Sequence, residues 1–211
     1  LLLSYKFNIF LYKIPFLKYT FSMKLILASA SPRRKQLLSE YGFSFTIIPS
    51  QFEENEILSS PNETVKSYAF GKAKDVFDKV GGDDIVVLGS DTIVYSDGKI
   101  LGKPKDENDA IKMLTNLSNK RHQVMTGYTI YSKNRVYTDC VITDVIFNDL
   151  SPTLISEYVK SGLPLDKAGA YGIQERASLF VEKIEGDYFN IVGLPVCRLG
   201  EILRDEFGYN L

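Results

Sequence analysis

An α/β fold follows from three features of this sequence. From Met23 onward, apolar strand-like runs alternate with helix-period patterns, the order expected for helices packed on a sheet. The run Ile85-Val86-Val87-Leu88 is wholly apolar, as in a central strand covered on both faces. Two alternating segments, Val124–Tyr131 and Val136–Phe147, turn at Lys133-Asn134 and read as an antiparallel hairpin.

Taken in order, Leu25-Ile26-Leu27 is the first strand and a helix begins after Ser31. Ser31 suits an N-cap, its hydroxyl accepting from a free amide of the first turn, and Pro32 fits the first helical position. Gly42 falls where a left-handed residue stops the helix. The apolar stripe of this helix holds Leu37, Leu38 and Tyr41, and helical spacing adds Arg34. An inward arginine at a helix N-terminus is out of place in a plain core and makes sense where an anion docks. The competing interpretation is a capped surface helix with a solvated Arg-Arg-Lys run.

A second strand spans Phe43–Ile48 and is closed by Pro49. Phe52-Glu53-Glu54-Asn55-Glu56 forms an acidic loop, followed by the capping box Ser60-Pro61-Asn62-Glu63. The helix it opens carries Val65, Ala69, Val76 and Phe77 inward and stops at Gly81-Gly82. Lys72 lies on that stripe, and a stem along the core edge with its head in water accounts for it. The central strand Ile85–Leu88 ends in Gly89-Ser90-Asp91-Thr92. Ser96-Asp97-Gly98 then turns a hairpin between Ile93–Tyr95 and Lys99–Leu101. Asp106 caps a helix carrying Ala110, Met113, Leu114 and Leu117. Beyond the large hairpin come a helix near Thr153–Lys160, a strand pair at Leu179–Ile184 and Phe189–Val192, and a closing helix from Pro195 to about Phe207.

Composition narrows the function. The 211 residues are 45% hydrophobic and 24% charged, enough for a proper core, with a net charge of -1. That balance argues against a nucleic-acid or membrane-surface binder. Cys140 and Cys197 read as buried free thiols of a reducing, cytoplasmic setting, and His122 is the single histidine. A metal here would be a hard cation held by carboxylates. Leu1 to Ser22 contain no acidic residue, and Lys6, Lys13 and Lys18 interrupt their apolar run, which disfavours a membrane span. The expectation is that Met23 is the functional start and residues 1–22 are a leader outside the fold. An organelle-targeting extension is the alternative.

Among residues equipped for chemistry, Asp91 ranks first, at the end of an apolar strand where a side chain is delivered to a cleft. A carboxylate there can hold a divalent cation or take a proton from an attacking water. Glu53 and Glu54 suit oxygen-only coordination, though by themselves they read first as a solvated acidic patch. Lys103 precedes a proline and could be a fixed cation aimed at phosphate, but its own surroundings favour an exposed hairpin-end lysine. Gln174 carries an amide able to read a base edge, Thr92 reads as structural, and Asp166 and Lys167 pair with each other. His122 serves a hydrogen bond at a strand start. Together these are the parts of phosphoryl chemistry, although no Gly-rich P-loop or Rossmann fingerprint is present.

Six ordered blocks resemble the Maf proteins. They are Leu27-Ala28-Ser29-Ala30-Ser31-Pro32-Arg33-Arg34, Leu88-Gly89-Ser90-Asp91-Thr92, Gly102-Lys103-Pro104, His122-Gln123-Val124-Met125-Thr126-Gly127, the stretch Asp166–Gln174, and the stretch Gly186–Pro195. The resemblance implies an elongated α/β fold of two lobes, with a mixed twisted sheet and a central cleft, built by residues 23–211. It implies a nucleoside triphosphate pyrophosphatase using Mg²⁺ or Mn²⁺, and a possible homodimer. Carried over by position, Asp91 is the proton acceptor, and Glu54 and Asp91 hold the metal. Ser29, Ser31, Arg33, Arg34, Lys72 and Lys103 meet the phosphates, and Arg33, Thr92 and Gln174 set specificity. The block ending in Gln174 resembles the dTTP/UTP branch. Glu175-Arg176-Ala177 departs from the family's usual glycines and leaves open a modified or purine nucleotide. A nucleotide-binding regulator without turnover is the rival from another class.

Overall fold

The computed structural model describes residues 23–210, and the leader expectation for residues 1–22 lies outside them. A seven-stranded mixed sheet forms the frame, in the order β2-β1-β3-β5-β6-β7, with β4 paired to the far half of β3. β1 (Lys24–Leu27) runs parallel to β2 (Phe45–Ile47) and to β3 (Ile85–Ser96). β4 (Lys99–Leu101), β5 (Arg121–Ser132), β6 (Val136–Phe147) and β7 (Val181–Glu185) join by antiparallel pairing.

β3 corrects the expectation of a short strand ending at Asp91. It is one 12-residue strand that exchanges neighbours halfway. β5 borders it from Val86 to Tyr95, whereas on the other side β1 stops opposite Leu88 and β4 begins opposite Val94. Gly89–Ile93 therefore form a gap in the sheet edge, and Asp91 sits at its middle.

The helix α2 (Pro61–Val80) crosses this region closely enough to require glycine beneath it. A Cβ on Gly89 would stand 2.2 Å from the Ala69 carbonyl oxygen, and one on Gly127 would stand 2.4 Å from that of Val65. Val65, Ala69 and Ala73, spaced four apart, make this seam and are fully buried. Lys72, three residues past Ala69, is carried over the gap by the same face.

The opposite face holds the largest apolar cluster. There α1 (Pro32–Glu40) and α6 (Val196–Phe207) pack Leu37, Leu38, Leu199 and Leu203 against Leu25, Leu27 and Leu88. Burying such side chains contributes about 1.5–3 kcal/mol each. A second cluster joins α3 (Glu107–Leu117), α4 (Pro152–Val159) and Phe147, Tyr171 and Phe180.

Several local expectations are corrected. Ser31 and Ser60 stand at helix N-caps before proline, but neither hydroxyl makes a capping bond. Thr64 takes over at α2, donating to the Ser60 carbonyl and accepting from the Leu58 amide, while Glu63 pairs with Lys66. Asp106 does cap α3 through the Asp109 amide. Tyr41 leaves the buried stripe of α1 and rests edge-on against Phe189. Phe189–Val192, expected as a strand, belongs to a short helix α5 (Tyr188–Val192). Asp187 caps it by accepting from the Phe189 amide, and the buried Asn190 amide donates to the Val124 carbonyl and Thr143 hydroxyl. A four-residue segment, Phe-Asn-Ile-Val, carries no period that separates strand from helix, so these hydrogen bonds decide. Cys140 is half-buried and Cys197 is exposed, against the expectation that both are buried.

Candidate active site

The gap in the sheet edge opens into a cavity of about 830 Å³. All ten candidate residues line it: Ser29, Ser31, Arg33, Arg34, Glu54, Lys72, Asp91, Thr92, Lys103 and Gln174. They come from six separate segments of the chain.

On the α2 face, Lys72 is the hub. Its ammonium lies 2.7 Å from Asp91 Oδ1 and 2.6 Å from Glu54, and the side chain is only 13% exposed. Its head therefore reaches two carboxylates, not water as its position on the stripe suggested. Glu53 points away from the cavity and accepts from Asn55, so the acidic pair divides into one inward and one outward carboxylate. The loop carrying Glu54 is pinned at three places. Asp75 accepts from Ser50 Oγ and the Gln51 amide, Tyr68 donates to the Glu54 carbonyl, and Thr64 accepts from the Leu58 amide. Burial first, and then the charges of Glu54 and Asp91, push the Tyr68 phenol above its ordinary value, so it remains a donor.

On the opposite face, Arg34 spans the base of the cavity. Its Nε donates to the Gly193 carbonyl at 3.0 Å, one terminal nitrogen to Ser29 Oγ at 3.1 Å, and the other to Thr92 Oγ1 at 3.1 Å. Burial lowers the affinity of this guanidinium for its proton, with the Asp91 charge opposing that shift. Five N–H donors with three committed leave two for a ligand. Arg33 is more open and meets Asp166 at 3.4 Å across the cavity mouth. Lys103 follows β4, is exposed and has no ion-pair partner among the described residues.

The far wall is the segment 162–180. Lys167 is 4% exposed and ties this wall together, contacting Asp166 at 2.7 Å, Glu175 at 3.3 Å and the Leu163 carbonyl. Its pairing with Asp166 was expected; its burial and its reach to Glu175 were not. Gln174 sits exposed on the turn before Glu175. His122 is 2% exposed, bonds Tyr171 at 2.8 Å and lies outside the cavity wall, in keeping with a structural role.

Sequence reasoning missed Tyr68, Asp75, Thr126, Asn190 and Gly193. Thr126, Asn190 and Gly193 lie within Maf-like blocks, but nothing local marks their roles, because each acts on a partner distant in sequence. Thr126 pairs opposite Thr92 on β5, a relation visible only once the strand register is known.

The metal expectation can be tested on the donor set. Among the described residues no cluster of three or more His, Cys, Asp or Glu is placed to hold a metal. Magnesium-type cations keep water and take phosphate oxygens, so one or two carboxylates suffice. Glu54 and Asp91, both touching one ammonium, supply that number and fit the group.

The family model for Maf-like protein matches residues 24–206. The chain belongs to the Maf family. Its relatives include a dTTP/UTP pyrophosphatase of Alkaliphilus oremlandii, 51% identical over 89% of this chain and 98% of the relative. A dTTP/UTP pyrophosphatase of Bacillus pumilus is 50% identical over 88% and 97%, and one of Aquifex aeolicus 45% over 87% and 95%. The aligned span of the Maf model takes in every segment that lines the cavity. Among the described residues of this Maf chain no helix is long and apolar enough to cross a membrane.

Proposed function

We propose that this Maf protein hydrolyses dTTP and UTP to the nucleoside monophosphate and pyrophosphate. The reading is carried by the convergence of four cations (Arg33, Arg34, Lys72 and Lys103) and the carboxylates Glu54 and Asp91 on one cavity in a chain about half identical to proteins of that name. In the reaction a water oxygen bonds to the α-phosphorus, the bond from that phosphorus to the bridging oxygen breaks, and pyrophosphate leaves.

Asp91 is the proton acceptor of the attacking water. Lys72 holds its Oδ1, which leaves Oδ2 as the basic oxygen. Arg33, Lys103 and the two spare donors of Arg34 bind the phosphate oxygens and stabilise charge gathering on the leaving group. Ser29 Oγ already accepts from Arg34 and from the Ser31 amide, so its proton points to a further acceptor, as a phosphate oxygen provides. A Mg²⁺ or Mn²⁺ ion held by Glu54 and Asp91 would supply Lewis-acid stabilisation of the phosphoryl charge. Gln174 faces the base.

The test is pyrophosphate release from dTTP and UTP with Mg²⁺ or Mn²⁺, repeated with Asp91→Asn. Turnover is expected to fall by about 10²–10⁴-fold in the variant at unchanged fold. A folded Asp91→Asn protein with full turnover would remove Asp91 from the role of base.

A further inference from the structure

The hydroxyls around Arg34 form a chain in which every proton can be assigned. Thr126, fully buried on β5, donates to the Asn190 main-chain carbonyl at 2.8 Å, and a carbonyl can only accept. Thr126 has one proton, so in its 2.9 Å contact with Thr92 it must accept. Thr92 therefore donates to Thr126. Arg34, which has no lone pair to offer, donates to Thr92 at 3.1 Å. One lone pair remains on Thr92 Oγ1, and its only proton is committed away from the cavity.

Thr92 also faces the side of the cavity away from Lys72, where the Arg34 guanidinium is the charged group it touches. Successive strand residues point to opposite faces, so Asp91 projects with Lys72 and Glu54 while Thr92 shares its face with Val94. Val94 packs under Gly169 of the segment that carries Gln174, and Val124 and Ile191 add apolar wall. The reacting phosphate belongs between Asp91 on the first face and Arg34 on the second, and the apolar wall beyond Arg34 is left for the base.

We infer that Thr126 is a positioning residue that makes Thr92 an obligate acceptor, and that this acceptor reads the imide N3–H shared by thymine and uracil. Cytosine offers a lone pair at N3 and meets another lone pair. The inference rests on the pyrimidine triphosphatase reading above and assigns it a mechanism of base choice. A site built to accept from a ligand donor discriminates strongly against an analogue lacking it, since the unpaired group stays buried.

The experiment compares kcat/KM for UTP and CTP in the wild type, Thr126→Val and Thr126→Ser. Valine removes the acceptor, so the Thr92 proton is free to turn toward cytosine N3. CTP turnover is expected to rise relative to UTP, lowering the UTP:CTP ratio by about tenfold. Serine keeps the hydroxyl and restores the wild-type ratio. Loss of packing alone lowers both substrates together and does not raise one of them. An unmoved ratio in a folded Thr126→Val protein overturns the inference. If that variant does not fold, the wild type is compared on UTP and its N3-methyl analogue. A loss of about tenfold or more with the analogue supports the acceptor role, and equal turnover overturns it. Absence of pyrophosphate release from UTP and dTTP alike would refute the functional reading itself; a shared ratio in an active enzyme refutes the role of Thr126 alone.

Discussion

Lys72 reaches Asp91 because Gly89, two residues earlier on the same strand, has no side chain. The Lys72 ammonium stands 2.7 Å from Asp91 Oδ1, and the helix that bears it rests on the bare Gly89 backbone. Helix height over the sheet and the geometry of the site are thus one quantity, set by a missing methyl group.

Gly89→Ala tests that link. The added Cβ would meet the Ala69 carbonyl oxygen at 2.2 Å and Ala73 Cβ at 2.9 Å, so α2 must lift. A destabilisation of about 1–3 kcal/mol is expected in urea unfolding. Pyrophosphate release should fall further than the lost stability explains, because Lys72 moves with the helix.

Lys72→Met removes the charge at nearly constant volume. Asp91 and Glu54 then face each other with no ammonium between them. Turnover is expected to drop by about 10²–10³-fold, read as kcat on UTP at saturating substrate. Retained kcat would show that Lys72 only supports the loop.

Arg34→Lys should fail despite keeping the charge. Three nitrogens of Arg34 bond three separate acceptors, Gly193 O, Ser29 Oγ and Thr92 Oγ1, and one ammonium cannot reproduce that fork. A loss of about 2 kcal/mol or more in unfolding free energy is expected, together with a weakened UTP KM.

Acid should weaken the fold through His122. Burial depresses its folded pKa from 6.5 to about 4, with the charge of Asp144 acting in the opposite sense. Between those values the unfolded chain binds the extra proton, so stability is whole above pH 6.5 and is lost as pH falls toward about 4. The share from this group reaches about 3 kcal/mol at the acid end. Unfolding curves across that range should flatten in His122→Gln, and an identical slope in both proteins would exclude His122 as the source.

Much of this was legible in the residues themselves. The α/β order, the buried run Ile85–Leu88, the inward Arg34 and the two hairpins are local patterns, and they appear where the periodicities put them. The ten candidate positions meet in one cavity, although Asp91 and Thr92 lie inside β3 and Lys72 lies inside α2 and not at strand ends or turns. What stayed hidden depends on register or on three-dimensional partners. Periodicity could not reveal that β3 runs through Asp91, since the two halves differ only in which strand lies alongside. Lys72 resembled an edge lysine because its two carboxylates come from another strand and another loop. Ser31 and Ser60 had the composition of caps, yet neither hydroxyl caps, and the nearby bonds run instead from the Ser31 amide to Ser29 and through Thr64 to Leu58 and Ser60. Phe189–Val192 was too short for its period to speak.

The unbroken course of β3 also bears on how firmly Asp91 is held. Asp91 lies mid-ladder, opposite Gly127, with paired residues along β5 on both sides of it. Paired strand segments open at a higher free energy than loops, so this stretch is expected to be held more firmly than the loop carrying Glu54 or the turn carrying Gln174. Asp91 is therefore the fixed point of the cavity, and hydrogen exchange should be slower along β3 and β5 than in those two segments.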